Sequence, residues 1–110
     1  GGLTAMTKEV IPEALRRRYI DSFPGKCAAF EAVIGQMAAA GADAAVVVAK
    51  LRDLSHKLAG SAGMYGFDDL GNLAREVVHA VDAGAGPQIL GGLAQTLLDR
   101  LTSAQTAQDL

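Results

Sequence analysis

The sequence predicts an all-α protein: an antiparallel up-down four-helix bundle with an additional short N-terminal helix. Three observations carry this expectation. Apolar residues recur at intervals of three and four through successive stretches of the chain, which marks one buried face of a helix each time. The stretches are joined by short Pro- or Gly-containing connections, which make consecutive helices antiparallel neighbours. The one strand-like run, Val46-Val47-Val48, is short and embedded in helical pattern.

The first helix is expected from about Pro12 to Phe23. Proline suits an early helical position, and Ile11, Leu15, Tyr19 and Phe23 form an apolar stripe. Pro24-Gly25 interrupts the pattern. A second helix then runs to about Ala40, with Cys27, Phe30, Val33, Ile34 and Met37 inward and Gly41 as its stop. Asp43 is placed to cap a third helix. Gly66 ends that helix where a left-handed residue is wanted, and Phe67 is placed to pack back on its last turn. Asp68 is expected to cap a fourth helix with the stripe Leu70, Leu73, Ala74, Val77 and Val81, which Gly84-Ala85-Gly86 terminates. Pro87 opens a fifth, with Leu90, Leu93, Ala94, Leu97, Leu98 and Leu101 inward. The polar tail from Thr102 to Leu110 is expected to fray. Residues 6–110 read as one domain, with Gly1–Ala5 ahead of Met6 as an expression-tag remnant outside the fold.

Composition narrows the function classes. The chain has 110 residues, half of them hydrophobic, which is one domain's worth with a single core. Its net charge of −2 gives no electrostatic case for nucleic acid. The cluster Arg16-Arg17-Arg18 fans around a helix and reads as a solvated face. Cys27 is the one cysteine, so no disulfide framework and no paired-thiol metal motif is expected. No apolar run approaches a membrane span, and no signal-peptide pattern is seen. A soluble, cytoplasmic protein is the expectation.

The third helix carries the chemistry. Its apolar residues Val47, Leu51, Leu54, Leu58, Ala62 and Tyr65 cluster on one side. At 100° per residue, His56 falls nearly opposite and faces water. Ala59 and Gly60 lie one turn on and Gly63 two turns on. Side chains lean toward the helix N-terminus, so residues at 59 and 60 would ordinarily cover part of the imidazole. Here they are too small. A mid-helix glycine costs about 1 kcal/mol relative to alanine, so Ala59, Gly60 and Gly63 read as a surface kept bare for close approach by another protein.

The run His56-Lys57-Leu58-Ala59-Gly60-Ser61-Ala62-Gly63-Met64-Tyr65-Gly66-Phe67-Asp68-Asp69-Leu70 resembles the signature of histidine-containing phosphotransfer (HPt) domains. The match lies at His56, Leu58, Gly60, Ser61, Ala62, Gly66 and Leu70. It departs at Ala59, where the family usually has a lysine. The resemblance implies the same helical bundle, with a reactive histidine midway along an exposed helix. It implies a phosphorelay intermediate in two-component signalling, in which His56 accepts a phosphoryl group from, and donates it to, the aspartate of a receiver domain. The implied partner is a receiver domain of a response regulator or of a hybrid histidine kinase. The family leaves Mg²⁺ to the receiver, so no cofactor and no metal are expected on this chain, and a monomer without independent catalytic turnover is implied.

An imidazole suits that role, since its ordinary pKa near 6.5 leaves much of it neutral and nucleophilic at cytoplasmic pH. No tight carboxylate constellation around His56 is visible in the sequence. The missing lysine must be made good if phosphate charge is to be offset. Lys57, Arg52 and Arg75 are the expected sources, and His79 on the fourth helix is a further one, although by itself it reads as a surface residue. A two-histidine metal site from His56 and His79 lacks a completing ligand set. Gly60, Gly63 and Gly66 lack the Gly-Lys-Ser/Thr ending and preceding strand of a phosphate-binding loop. The alternative reading is a helical module that docks a receiver or kinase without carrying phosphate, and Ala59 is the feature that favours it.

Overall fold

The computed structural model describes residues 11–39, 41 and 43–109. Gly1–Ala5, the domain start at Met6, Ala40 and Leu110 lie outside the described residues. Within them the chain forms α1 (Glu13–Asp21), α2 (Phe23–Ala38), α3 (Ala44–Ala62), a 3₁₀ turn (Gly63–Tyr65), α4 (Asp68–Asp82) and α5 (Pro87–Asp109). The described residues contain no strand. Helices α2 to α5 pack as a ring, each against its neighbour in sequence, and α5 closes on α2. The short α1 sits beside the start of α2. This is the predicted bundle with its added N-terminal helix.

The core is the sum of the apolar stripes. Phe23, Phe30, Leu51, Leu58, Leu70, Val77, Leu97 and Leu101 are buried with almost no exposure. At about 25 cal/mol per Å² of apolar surface, each such side chain contributes roughly 1.5–3 kcal/mol of transfer free energy. Ser55 shares that interior, and its hydroxyl finds no hydrogen-bond partner.

The ends of the elements differ from the sequence expectation in physically simple ways. The break between α1 and α2 falls at Ser22, and Pro24 lies inside the first turn of α2, where its missing N–H leaves nothing unsatisfied. Phe23 therefore belongs to α2. Leu15 is 44% exposed: the side of α1 that meets the bundle is that of Arg16, which lies over the Phe67 ring, and of the half-buried Tyr19 and buried Ile20. Asp43 flanks α3, but its backbone carbonyl takes the first helical N–H groups and its side chain makes no capping bond. Phe67, not Asp68, flanks α4; Asp68 and Asp69 lie in its first turn, where negative charge favours the helix dipole. The expected fraying after Leu101 is not found, since α5 continues to Asp109. Ala104 packs against the core one turn beyond Leu101, and Thr102 Oγ1 and Gln105 Oε1 lie 3.8 and 3.6 Å from the buried Cys27 Sγ.

Candidate functional site

His56 is exposed because of what surrounds it in sequence. Val47, Leu51, Ser55, Leu58 and Ala62 are all buried and fix the inward side of α3. Ser55 extends the inward stripe one position beyond the apolar set, which turns His56 outward but toward the α4 side. The helix is closed by Gly66, whose φ of 89° is the left-handed conformation that glycine adopts without a Cβ penalty. The Phe67 N–H donates to the Ala62 carbonyl at 2.9 Å, closing the turn around Gly66.

Along the seam between α3 and α4, small residues and charges alternate. A Cβ on Gly71 would lie 3.6 Å from the Gly63 nitrogen and 3.7 Å from the Ala59 carbonyl oxygen, so the two backbones approach closely here. Part of the small-residue strip lies against α4: Ala59 is half-buried there, and the Gly63 backbone faces Gly71, although a Cβ on Gly63 itself would meet only Asp68 Oδ1 at 3.4 Å. Gly60 differs, because a Cβ there would meet nothing within 4 Å. Its bareness has no internal cause.

The three expected supporting cations are all engaged. Arg52, one turn before His56, clasps Asp82 of α4 with Nε to Oδ1 at 2.7 Å and Nη2 to Oδ2 at 3.0 Å. Lys57 pairs with Asp53 of the same helix at 3.0 Å, both well exposed. Arg75 reaches across from α4, where Nη1 donates to the Ala59 carbonyl at 3.3 Å and Nη2 to Asn72 Oδ1 at 2.7 Å. Arg75 thus meets the very position where the family's lysine is absent. The hydrogen bonds from Arg52 hold Asp82 below the usual carboxylate range, with the positive fields of Arg52, His79 and His56 acting in the same direction. The same pairing raises Arg52 above the usual guanidinium range.

One carboxylate, Asp82 of α4, stands close enough for its charge to reach His56, and it is already paired with Arg52. The sequence signal was faint, an acidic residue three places after His79 on the polar face of α4. Among the described residues, no three His, Cys, Asp or Glu side chains gather as a metal site.

The opposite shoulder of α3, facing α1 and α2, is built differently. Tyr19 of α1 bonds Ser61 through its hydroxyl at 2.7 Å and stacks on Tyr65 at 4.2 Å between ring centroids. Lys26 lies 4.8 Å over the Tyr19 ring. Burial raises the Tyr19 phenol above its ordinary pKa, an effect the Ser61 bond partly offsets. Leu54, Leu58 and Phe30 floor a groove here, with Lys26 and Lys57 on its edges.

No described helix is long and apolar enough to cross a membrane. Comparison with known proteins adds one positive finding. The model of the Hpt domain family matches residues 14–107, which spans α1 to the last turns of α5 and includes His56. Neither the curated proteins nor the solved structures gave a match. Members of that family carry phosphoryl groups within two-component signalling as carrier modules rather than catalysts. The family match over most of the chain, the four-helix ring and the outward imidazole of α3 converge on one statement: this chain belongs to the Hpt domain family.

Proposed function

We propose that His56 is the phosphoacceptor of a phosphorelay, taking a phosphoryl group from the aspartyl phosphate of one receiver domain and yielding it to another. The observation that carries this reading is the outward imidazole at the matching position of the family motif, next to a glycine that nothing inside the protein requires. In the forward step, a ring-nitrogen lone pair forms the N–P bond while the P–O bond to the partner's aspartate breaks. The bonding pair leaves with the carboxylate. Such a transfer needs positioning and charge stabilisation more than covalent help from the acceptor protein. The Mg²⁺ that supports it belongs to the receiver. The chain acts stoichiometrically, as a cytoplasmic monomer, with no nucleic acid or membrane partner.

Arg52, Lys57 and Arg75 border this site. Arg75 supports it indirectly, by tying α4 to the Ala59 carbonyl. Arg52 stands nearest along the helix, one turn away, and an arriving phosphoryl group competes with Asp82 for it. Ala59, Gly60 and Gly63 form the face on which the receiver closes.

Ala59 keeps a second reading in play, that of a docking module which binds a receiver without accepting phosphate. Treatment with phosphoramidate, followed by intact mass, separates the two. An acid-labile adduct on the native chain, absent from His56→Gln, is the expected result. A chain that binds receivers yet takes no adduct from phosphoramidate or from any phosphorylated receiver is a docking module.

A further inference from the structure

The α3–α4 seam holds a titratable group that the carrier reading leaves unused. Three contacts fix the register of these antiparallel helices: Arg52 with Asp82, Ala59 with Arg75, and Gly63 with Gly71. The intervals between the first two contacts are equal on both helices, so the chain runs in step. Counting inward from either contact sets His56 opposite Val78, with His79 the next residue along α4. Val78 is buried and His79 exposed, so it is the His79 imidazole that stands on the outer edge of the seam beside His56. Both imidazoles act on the same carboxylate, Asp82.

We propose that His79, when protonated, holds the phosphoryl group on His56 in place of the lysine absent at Ala59, so that the lifetime of the phosphorylated protein depends on pH. This rests on His56 being the phosphoacceptor. The other cations at the seam each serve a partner already: Arg52 serves Asp82, Lys57 serves Asp53, and Arg75 serves Ala59 and Asn72. Recruiting them means breaking those pairs, whereas His79 has only to gain a proton. The groups that face His79 are Arg52 and His56 from α3, and Arg75, Glu76 and Asp82 from its own helix. The part of α5 that runs alongside, from Pro87 to Leu98, carries no charged residue.

The sign follows from charge. An imidazolium beside a phosphoryl dianion is favoured, so phosphorylation of His56 raises the titration midpoint of His79. The added lifetime is present below the ordinary imidazole range near pH 6.5 and is lost as pH rises through the midpoint of the phosphorylated form. For an exposed ion pair the effect is about two- to fivefold.

The test uses the full chain phosphorylated with phosphoramidate, with mass analysis of His56→Gln to establish that the adduct is on His56. Decay of the phosphoryl group is followed across about pH 5.5 to 8.5 in the native chain, His79→Gln and His79→Lys, and the His79 ring is followed by NMR before and after phosphorylation. Phosphohistidine is itself acid-labile, so variants are compared at each pH. The expected result is a native lifetime about two- to fivefold longer than His79→Gln near pH 6, converging at the alkaline end, with His79→Lys long-lived throughout. The His79 midpoint moves up by a few tenths of a pH unit on phosphorylation, on the order of that same pair energy. Equal lifetimes at every pH with an unmoved midpoint, in a chain that does carry the adduct on His56, overturn the role of His79 alone. No adduct on His56 overturns both this inference and the carrier reading beneath it.

Discussion

On the α4 side of α3 stand Arg52, Ala59 and Gly63, met by Asp82, Arg75 and Gly71. On the side facing α1 and α2 stand Leu54 and Ser61, beside Phe30 and Tyr19, with Lys26 and Lys57 on the edges of the groove between them. The first shoulder is made of small residues and exposed charges, the second of aromatic rings and one buried-side hydroxyl bond. Exposed ion pairs contribute little to stability, typically under about 1 kcal/mol, whereas aromatic burial dominates packing. The comparison therefore teaches a division of labour. The α1–α2 shoulder holds the helix by aromatic packing, whereas the α4 shoulder, where the two helices pack most extensively, also sets the charge around His56.

Substitutions on the two shoulders sharpen that contrast. Phe23 is fully buried and makes edge-on contacts with Tyr19 and Phe67 at 5.5 and 5.2 Å. Phe23→Ala should cost about 3–5 kcal/mol in chemical denaturation, the largest effect expected; a loss under about 1 kcal/mol would remove the anchoring role of the aromatic shoulder. Gly71→Leu should cost about 1–3 kcal/mol by forcing the α3 and α4 backbones apart. It should also slow phosphoryl acceptance by His56, which phosphoramidate kinetics would reveal. Unchanged stability would mean that the close approach of the seam is not needed.

Tyr19→Phe removes the bond to Ser61 and should cost about 0.5–1.5 kcal/mol near neutral pH, while acceptance from phosphoramidate stays as in the native chain. The Tyr19 phenol is raised in the folded state, so its contribution is fully present below the ordinary tyrosine pKa near 10 and lost as pH rises through the folded value. Stability of the native chain should thus fall more steeply above about pH 10 than that of Tyr19→Phe; parallel alkaline limbs would contradict it. The smallest effect belongs to Asp82. Its carboxyl is held down by Arg52, so its contribution is present above the ordinary carboxylate pKa near 4 and lost as pH falls through the folded value. Asp82→Asn should slightly flatten the acid limb of a stability-versus-pH curve, and an unaltered limb would show the pair to be neutral in energy.

Ser55 shows why some of the site stayed hidden. A serine among leucines reads as polar, yet its azimuth lies next to that of Leu51, and the helix carries it into the core with its hydroxyl unpaired. Leu15 erred in the other direction: it has the right spacing for a stripe, but the first turns of α1 meet the bundle through Arg16 over Phe67 and leave Leu15 outside. Asp82 and Gly71 were legible only as a charge and a glycine on the fourth helix, because their meaning depends on which α3 residues they oppose.

Local physics was enough for the helices, the Gly66 stop and the outward turn of His56, since each depends on periodicity or on the conformational freedom of a single residue. The chain order and short connections were enough for an antiparallel ring. Tertiary structure decided the register of α4 against α3, and with it the clasp of Arg52 on Asp82 and the reach of Arg75 to Ala59. A helix specifies its own face every few residues, but it carries no record of how far a neighbour slides along it. That distance exists only in the folded bundle, where the Gly63 and Gly71 backbones come to face each other.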